Sequence, residues 1–124
     1  MMTQHKAKRP TKRGLPAEVK LAVESCLAKK AEDLCVLDLR DLAAFTDFFL
    51  VMSGGSSRQN AAIAESVEVR LKAAGVRPLG VEGRESAEWV LIDYGWFVVH
   101  VFSRAAREHY ALERLWGDAP RLDF

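Results

Sequence analysis

Residues 78–101 read PLGVEGRESAEWVLIDYGWFVVHV, which patterns as one edge strand, a charged loop and a tight hairpin of two apolar strands. The turn is Gly95-Trp96, a two-residue Gly-x connection of the kind that closes a type II′ hairpin. That turn sets a register in which Tyr94 lies opposite Phe97, Ile92 opposite Val99 and Val90 opposite Val101. All of these side chains are apolar or aromatic and share one face. The other face pairs Trp89 with Phe102, Leu91 with His100 and Asp93 with Val98. The first face belongs in a core. The second mixes large apolar groups with an acid and an imidazole, the composition of a partner-binding surface.

The flanking segments complete a single α/β domain, with a mixed sheet of about five strands and flanking helices. A first helix is expected from Pro16 to Lys30, with Val19, Ala22, Val23, Cys26 and Leu27 as its apolar stripe. Strands follow at Leu34–Leu39 and Phe48–Ser53, joined by a connection under which Phe45 is tucked. A second helix runs from Ser57 to Ala74. Ser56 and Gln59 stand at capping-box spacing, Ile63, Val67, Leu71 and Ala74 form the buried stripe, and Gly75 occupies C′. Pro78 assigns the strand Arg77–Val81 to an edge, since proline cannot donate to a neighbour. Ser103 caps a third helix, Arg104 to Trp116, with Ala105, Leu112, Leu115 and Trp116 inward and an Arg104–Glu108 pair outward. Tyr110 and Glu113 fall on another side and border the binding face.

The chain has 124 residues, enough for one core and not two, and 49% of them are hydrophobic. No apolar run approaches the ~20 residues of a membrane span. Lys6, Lys8, Arg9, Lys12 and Arg13 crowd the first 17 residues without an acid, leaving 13 basic against 17 acidic residues beyond, a net of −4. Residues 1–15 therefore read as a basic flexible arm able to touch nucleic acid weakly. The folded part carries the sign that favours a basic protein partner over a phosphate backbone. Cys26 and Cys35 lack CxxC spacing and read as buried thiols of a reducing, cytoplasmic compartment.

Individual residues carry competing readings. Trp89 is either a strand-end core aromatic or an interface anchor; the apolar opposite face already supplies the core, which favours the anchor. His100 lies diagonal to Asp93, close enough for a hydrogen bond that fixes its tautomer, and no Ser or Cys is placed to complete a triad. Glu82, Glu88, Asp93, Asp38 and Asp41 lack the Asp-x-Asp arrangement of a metal site. Gly54 to Arg58, a glycine turn feeding a helix, is either an anion cradle or a capped helix start. An enzyme transferring nucleotides through that turn is the alternative function. The following strand offers no carboxylates for magnesium.

The segments AEDLCVLDLRDLAAFTDFFLVMSGGSSRQ (31–59), PLGVEGRESAEWVLIDYGWFVVHVF (78–102) and AREHYALERLWGDAP (106–120) resemble the ribosomal silencing factor, or Iojap-like, family. LGVEG, EWVLIDYG, VVHVF and YxLERLW in that order and spacing are what make the resemblance specific. It covers residues 16–120, with 121–124 as a C-terminal tail. It implies a nucleotidyltransferase-like core without enzymatic activity and without cofactor or metal. It also implies a cytoplasmic factor that binds the large ribosomal subunit through ribosomal protein number fourteen, blocks joining of the small subunit and so represses translation. Organelle relatives act in large-subunit assembly, and some members are homodimers when free. On this reading Trp89, Leu91, Asp93, His100 and Phe102 form the contact patch for the ribosomal protein, with Val90 and Trp96 as neighbours. Trp96 stands where the family more often carries a small acidic residue, and Gly55 where Thr is more usual.

Overall fold

The structure, a computed structural model, describes residues 14–124, so the basic stretch Lys6–Arg13 lies outside the described residues. Two runs rich in β-branched and aromatic residues form the centre of the sheet. Strand β1 is Glu32–Asp38 and β2 is Phe48–Gly54. Every residue of β2 is buried, as expected of a strand covered on both faces. Helix α1 (Ala17–Ala28) precedes them, and α2 (Ser57–Ala73) follows β2. The short β3 (Gly80–Glu82) leads into the hairpin of β4 (Trp89–Asp93) and β5 (Phe97–Ser103). The chain closes with α3 (Arg104–Tyr110), α4 (Leu112–Leu115) and β6 (Arg121–Asp123).

The six-stranded sheet has the order β3-β4-β5-β2-β1-β6. Only β2 and β5 pair in parallel; the other neighbours are antiparallel. The hairpin register matches the sequence expectation, with Trp89 opposite Phe102 and Ile92 opposite Val99. Gly95 has φ +88, and the amide of Tyr94 donates to the Phe97 carbonyl at 3.0 Å. Helices α1 and α2 cover the face carrying Val90, Ile92, Val99 and Val101. Residues of α3, α4 and the segment to Ala119 cover part of the other, over Phe49, Val51, Val98 and Phe102.

Four departures from the sequence expectation have physical causes. Residues 121–123 form β6 on the free edge of β1, where a tail was expected; the amide of Phe124 donates to the Leu34 carbonyl at 2.9 Å. The third helix breaks at Ala111, which takes a left-handed conformation (φ 48, ψ 51). The break rotates Leu112 and Trp116 onto the sheet beside Ala106, leaving Ala105 and Leu115 exposed. In α1 the inward position expected of Leu27 belongs to Ser25: its hydroxyl donates to the Leu21 carbonyl, and its carbonyl accepts from Ser66. Arg104 pairs with Glu32 across the sheet end instead of with Glu108.

Both helix caps read from sequence are present. Ser56 Oγ accepts from the Gln59 amide, and Ser103 Oγ from the Ala106 amide. Gly75, with φ +84, follows the C-cap residue Ala74, which is exposed and not part of the buried stripe. Gly54 is glycine for a different reason: a Cβ there would lie 2.0 Å from Asn60 Oδ1. Gly54→Ala should therefore lose about 1–3 kcal/mol through overpacking. Gly75→Ala, which meets open space but a left-handed backbone, should lose about 1–2 kcal/mol. Urea unfolding of the two variants measures both costs.

Candidate protein-contact surface

Burial alternates along β4: Val90 and Ile92 are buried, whereas Trp89, Leu91 and Asp93 are half-buried. The alternation arises because α1 and α2 cover one face of the strand while the other looks past the end of α3. Strand β5 lies one position further in, and its residues from Phe97 to Phe102 are all buried. The seven candidate residues therefore separate into four groups.

Val90 is fully buried on the helix-covered face, where strand alternation puts it, and presents nothing outward. Phe102 and His100 lie on the expected face but beneath other side chains, so they form a floor instead of a surface. The Trp89 ring lies 4.9 Å from the Phe102 ring, and Phe49 meets His100 edge-on at 4.5 Å. Trp89, Leu91 and Asp93 remain accessible together. Trp96 is 37% exposed, but it stands at the turn, at the opposite end of β4 from Trp89. Tyr110 joins the accessible group: its ring lies 4.5 Å from that of Trp89, and half its surface is open. Glu113, expected to border the face, is held by Arg107 at 2.8 Å.

The expected Asp93–His100 hydrogen bond is absent. Asp93 Oδ1 accepts from the Gly95 amide at 2.8 Å and so fastens the hairpin turn. His100 Nδ1 accepts from Trp89 Nε1 at 3.1 Å, which places the imidazole proton on Nε2. Nε2 is buried without a partner, and burial lowers the pKa of His100 to about 4. The imidazole is neutral near pH 7 and acts as an acceptor that orients the indole.

Two apolar groups escaped the sequence reading. Phe45, expected beneath its loop, is 78% exposed, and Leu79 is 77% exposed. Ala43 before Phe45 has φ +51, a local reversal that no glycine or asparagine announces.

The glycine turn is occupied by its own chain. The amide of Gly55 donates to Gln59 Oε1 at 2.7 Å, and Gln59 Nε2 donates to the carbonyls of Lys29 and Lys30. Gln59 thereby closes the cap through Gly55 and ties α2 to the end of α1. A groove of about 590 Å³ beside α3 is lined by Arg104, Arg107, Arg114 and Arg121. Glu32, Glu113 and Asp123 hold three of these guanidiniums. Among the described residues no group of three His, Cys, Asp or Glu is placed to hold a metal. Burial pushes the Cys35 thiol up to about 11 and Cys26 higher still.

Fold and surface together define a small α/β domain: a mixed sheet, a helix layer on one side and an aromatic platform on the other. The chain belongs to the RsfS family, whose family model, described as ribosomal silencing factor during starvation, matches residues 12–124. It is 41% identical over 105 residues to ribosomal silencing factor RsfS of Bacillus subtilis, covering 85% of this chain and 89% of that protein. A crystal structure of a Chromobacterium violaceum protein superposes with a TM-score of 0.78 at 46% identity, covering 81% of this chain and 83% of that one. A mouse relative, mitochondrial assembly of ribosomal large subunit protein 1, is 28% identical over 106 residues, covering 83% of this chain and 46% of that protein.

The depressed pKa of His100 has a pH signature. The unfolded imidazole binds a proton below about pH 6.5, the folded one only near pH 4, so acid favours the unfolded chain. This contribution should cost about 2 kcal/mol of stability between pH 6.5 and 5. Urea midpoints across that window should fall less steeply in His100→Phe than in the parent.

Proposed function

We propose that this chain is a ribosomal silencing factor that represses translation by occlusion. On this reading it binds the large ribosomal subunit at the subunit interface, through ribosomal protein number fourteen, and keeps the small subunit from joining. The observation that carries the reading is the accessible strip of Trp89, Leu91 and Tyr110 beside Asp93, in a chain that belongs to the RsfS family over residues 12–124. Large half-exposed aromatics over a packed floor are the anchors that dominate interface energies. The excess of acid over base beyond residue 13 suits a basic protein surface.

No chemistry is required of the factor; it acts by filling space. The name of the mouse relative supports a second role in assembling the large subunit. Free in the cytoplasm, the same strip can pair with a second copy, and that homodimer must open before the ribosome is engaged. The basic arm adds a weak contact to ribosomal RNA. The nucleotidyl-transfer alternative is disfavoured, because a triphosphate at Gly54–Arg58 must first displace Gln59 from the Gly55 amide.

Sucrose-gradient sedimentation with purified subunits tests the proposal. The protein should travel with the large subunit and reduce the yield of joined particles. Trp89→Ala and Leu91→Asp should each weaken the association by about 2 kcal/mol or more while remaining folded. Failure of the parent protein to travel with the large subunit would sink the reading. Variants that still bind fully would move the contact surface elsewhere.

A further inference from the structure

Asn60 lies on α2, in the helix layer, away from the proposed contact strip, and is fully buried. Its Nδ2 donates to the carbonyl of Ala87 at 2.8 Å, while its Oδ1 has no partner. A leucine, of the same branched outline but without polar atoms, would leave no orphan oxygen there. The asparagine thus carries a local cost, and what it holds in return is the loop that delivers Trp89.

That loop, residues 83–88, is fixed at points just before the contact strand. Ala87 is buried in a left-handed conformation with φ +56, and its amide donates to the Gly83 carbonyl at 3.0 Å. Gly83 passes so close to Trp89 that a Cβ would lie 2.0 Å from the Trp89 carbonyl oxygen. The Glu88 carbonyl accepts from the Ser103 amide at 2.8 Å. Arg84 reaches back to Glu68 on α2 through a bidentate pair, a second tie between the loop and the helix layer whose guanidinium is open to solvent. Asn60 supplies the buried bond from the helix layer that keeps Ala87 in its strained conformation.

We infer that Asn60 is a positioning residue for the contact surface: through Ala87 it fixes the 83–88 loop and the height at which Trp89 leaves it. The inference rests on the function proposed above. Gly54 belongs to the same device, since only glycine leaves room for Asn60 Oδ1.

Asn60→Ala and Asn60→Leu test it, the second keeping the branched side-chain outline if the first unfolds. Both should unfold cooperatively, with faster amide exchange confined to residues 83–89 and α2 amides still protected. The Trp89 indole N–H resonance should shift, and affinity for the large subunit should fall about tenfold at temperatures where the variants are fully folded. Undiminished binding in the presence of a loosened loop overturns the inference, as does an unchanged loop. Loss of protection throughout both variants also overturns it, reducing Asn60 to a core residue. A parent protein that does not bind the subunit removes the functional reading itself, which is a distinct outcome.

Discussion

The parallel pairing of β2 with β5 is the constraint on which the rest depends. Its register runs unbroken from Phe48 opposite Phe97 to Gly54 opposite Ser103. Parallel neighbours cannot be joined by a tight turn, so the chain must cross over, and α2 makes that crossing. The crossover buries the Val90 and Ile92 face of the hairpin under the helices. The opposite face is then left to whatever follows β5. Because α3 and α4 are short and turn back over Phe49 and Phe102, they leave the β4 side open. The accessible strip is a result of topology before it is a result of composition.

Within the strip, energy and orientation have separate sources. Phe102, His100 and Phe49 supply a buried floor that cannot rearrange without disrupting the packing beneath α3 and α4. Trp89 rests on that floor, is flanked by the tilted ring of Tyr110 and donates its indole N–H to a neutral imidazole. A side chain fixed in this way loses little conformational freedom on docking, which favours binding. A histidine in such a place need not be catalytic; here it serves as a neutral acceptor.

What could be read from sequence was whatever local chemistry decides. Gly95 with an apolar alternation on each side specified the register of the hairpin, and Ser56 and Ser103 specified two helix starts. The face carrying Trp89 and Leu91 followed from period two alone. What escaped reading was decided by contacts distant in the chain. The break at Ala111 has no glycine or proline to mark it and exists because Leu112 and Trp116 gain more by meeting the sheet. Three residues, Arg121–Asp123, are too few to pattern as a strand until β1 offers its edge. Burial of Phe102 and His100 depended on where α3 would lie, and the Trp89–His100 bond on side-chain geometry that no spacing encodes. Val90 was the exception: its own register already excluded it from a surface.

The two cysteines end up on opposite sides of the sheet, Cys26 under the helix layer and Cys35 beneath the C-terminal layer. Neither thiol touches solvent, and both resist ionisation. Each is consequently silent toward alkylating reagents until its own layer lifts. The molecule carries a pair of natural reporters able to say which side of the sheet opens first.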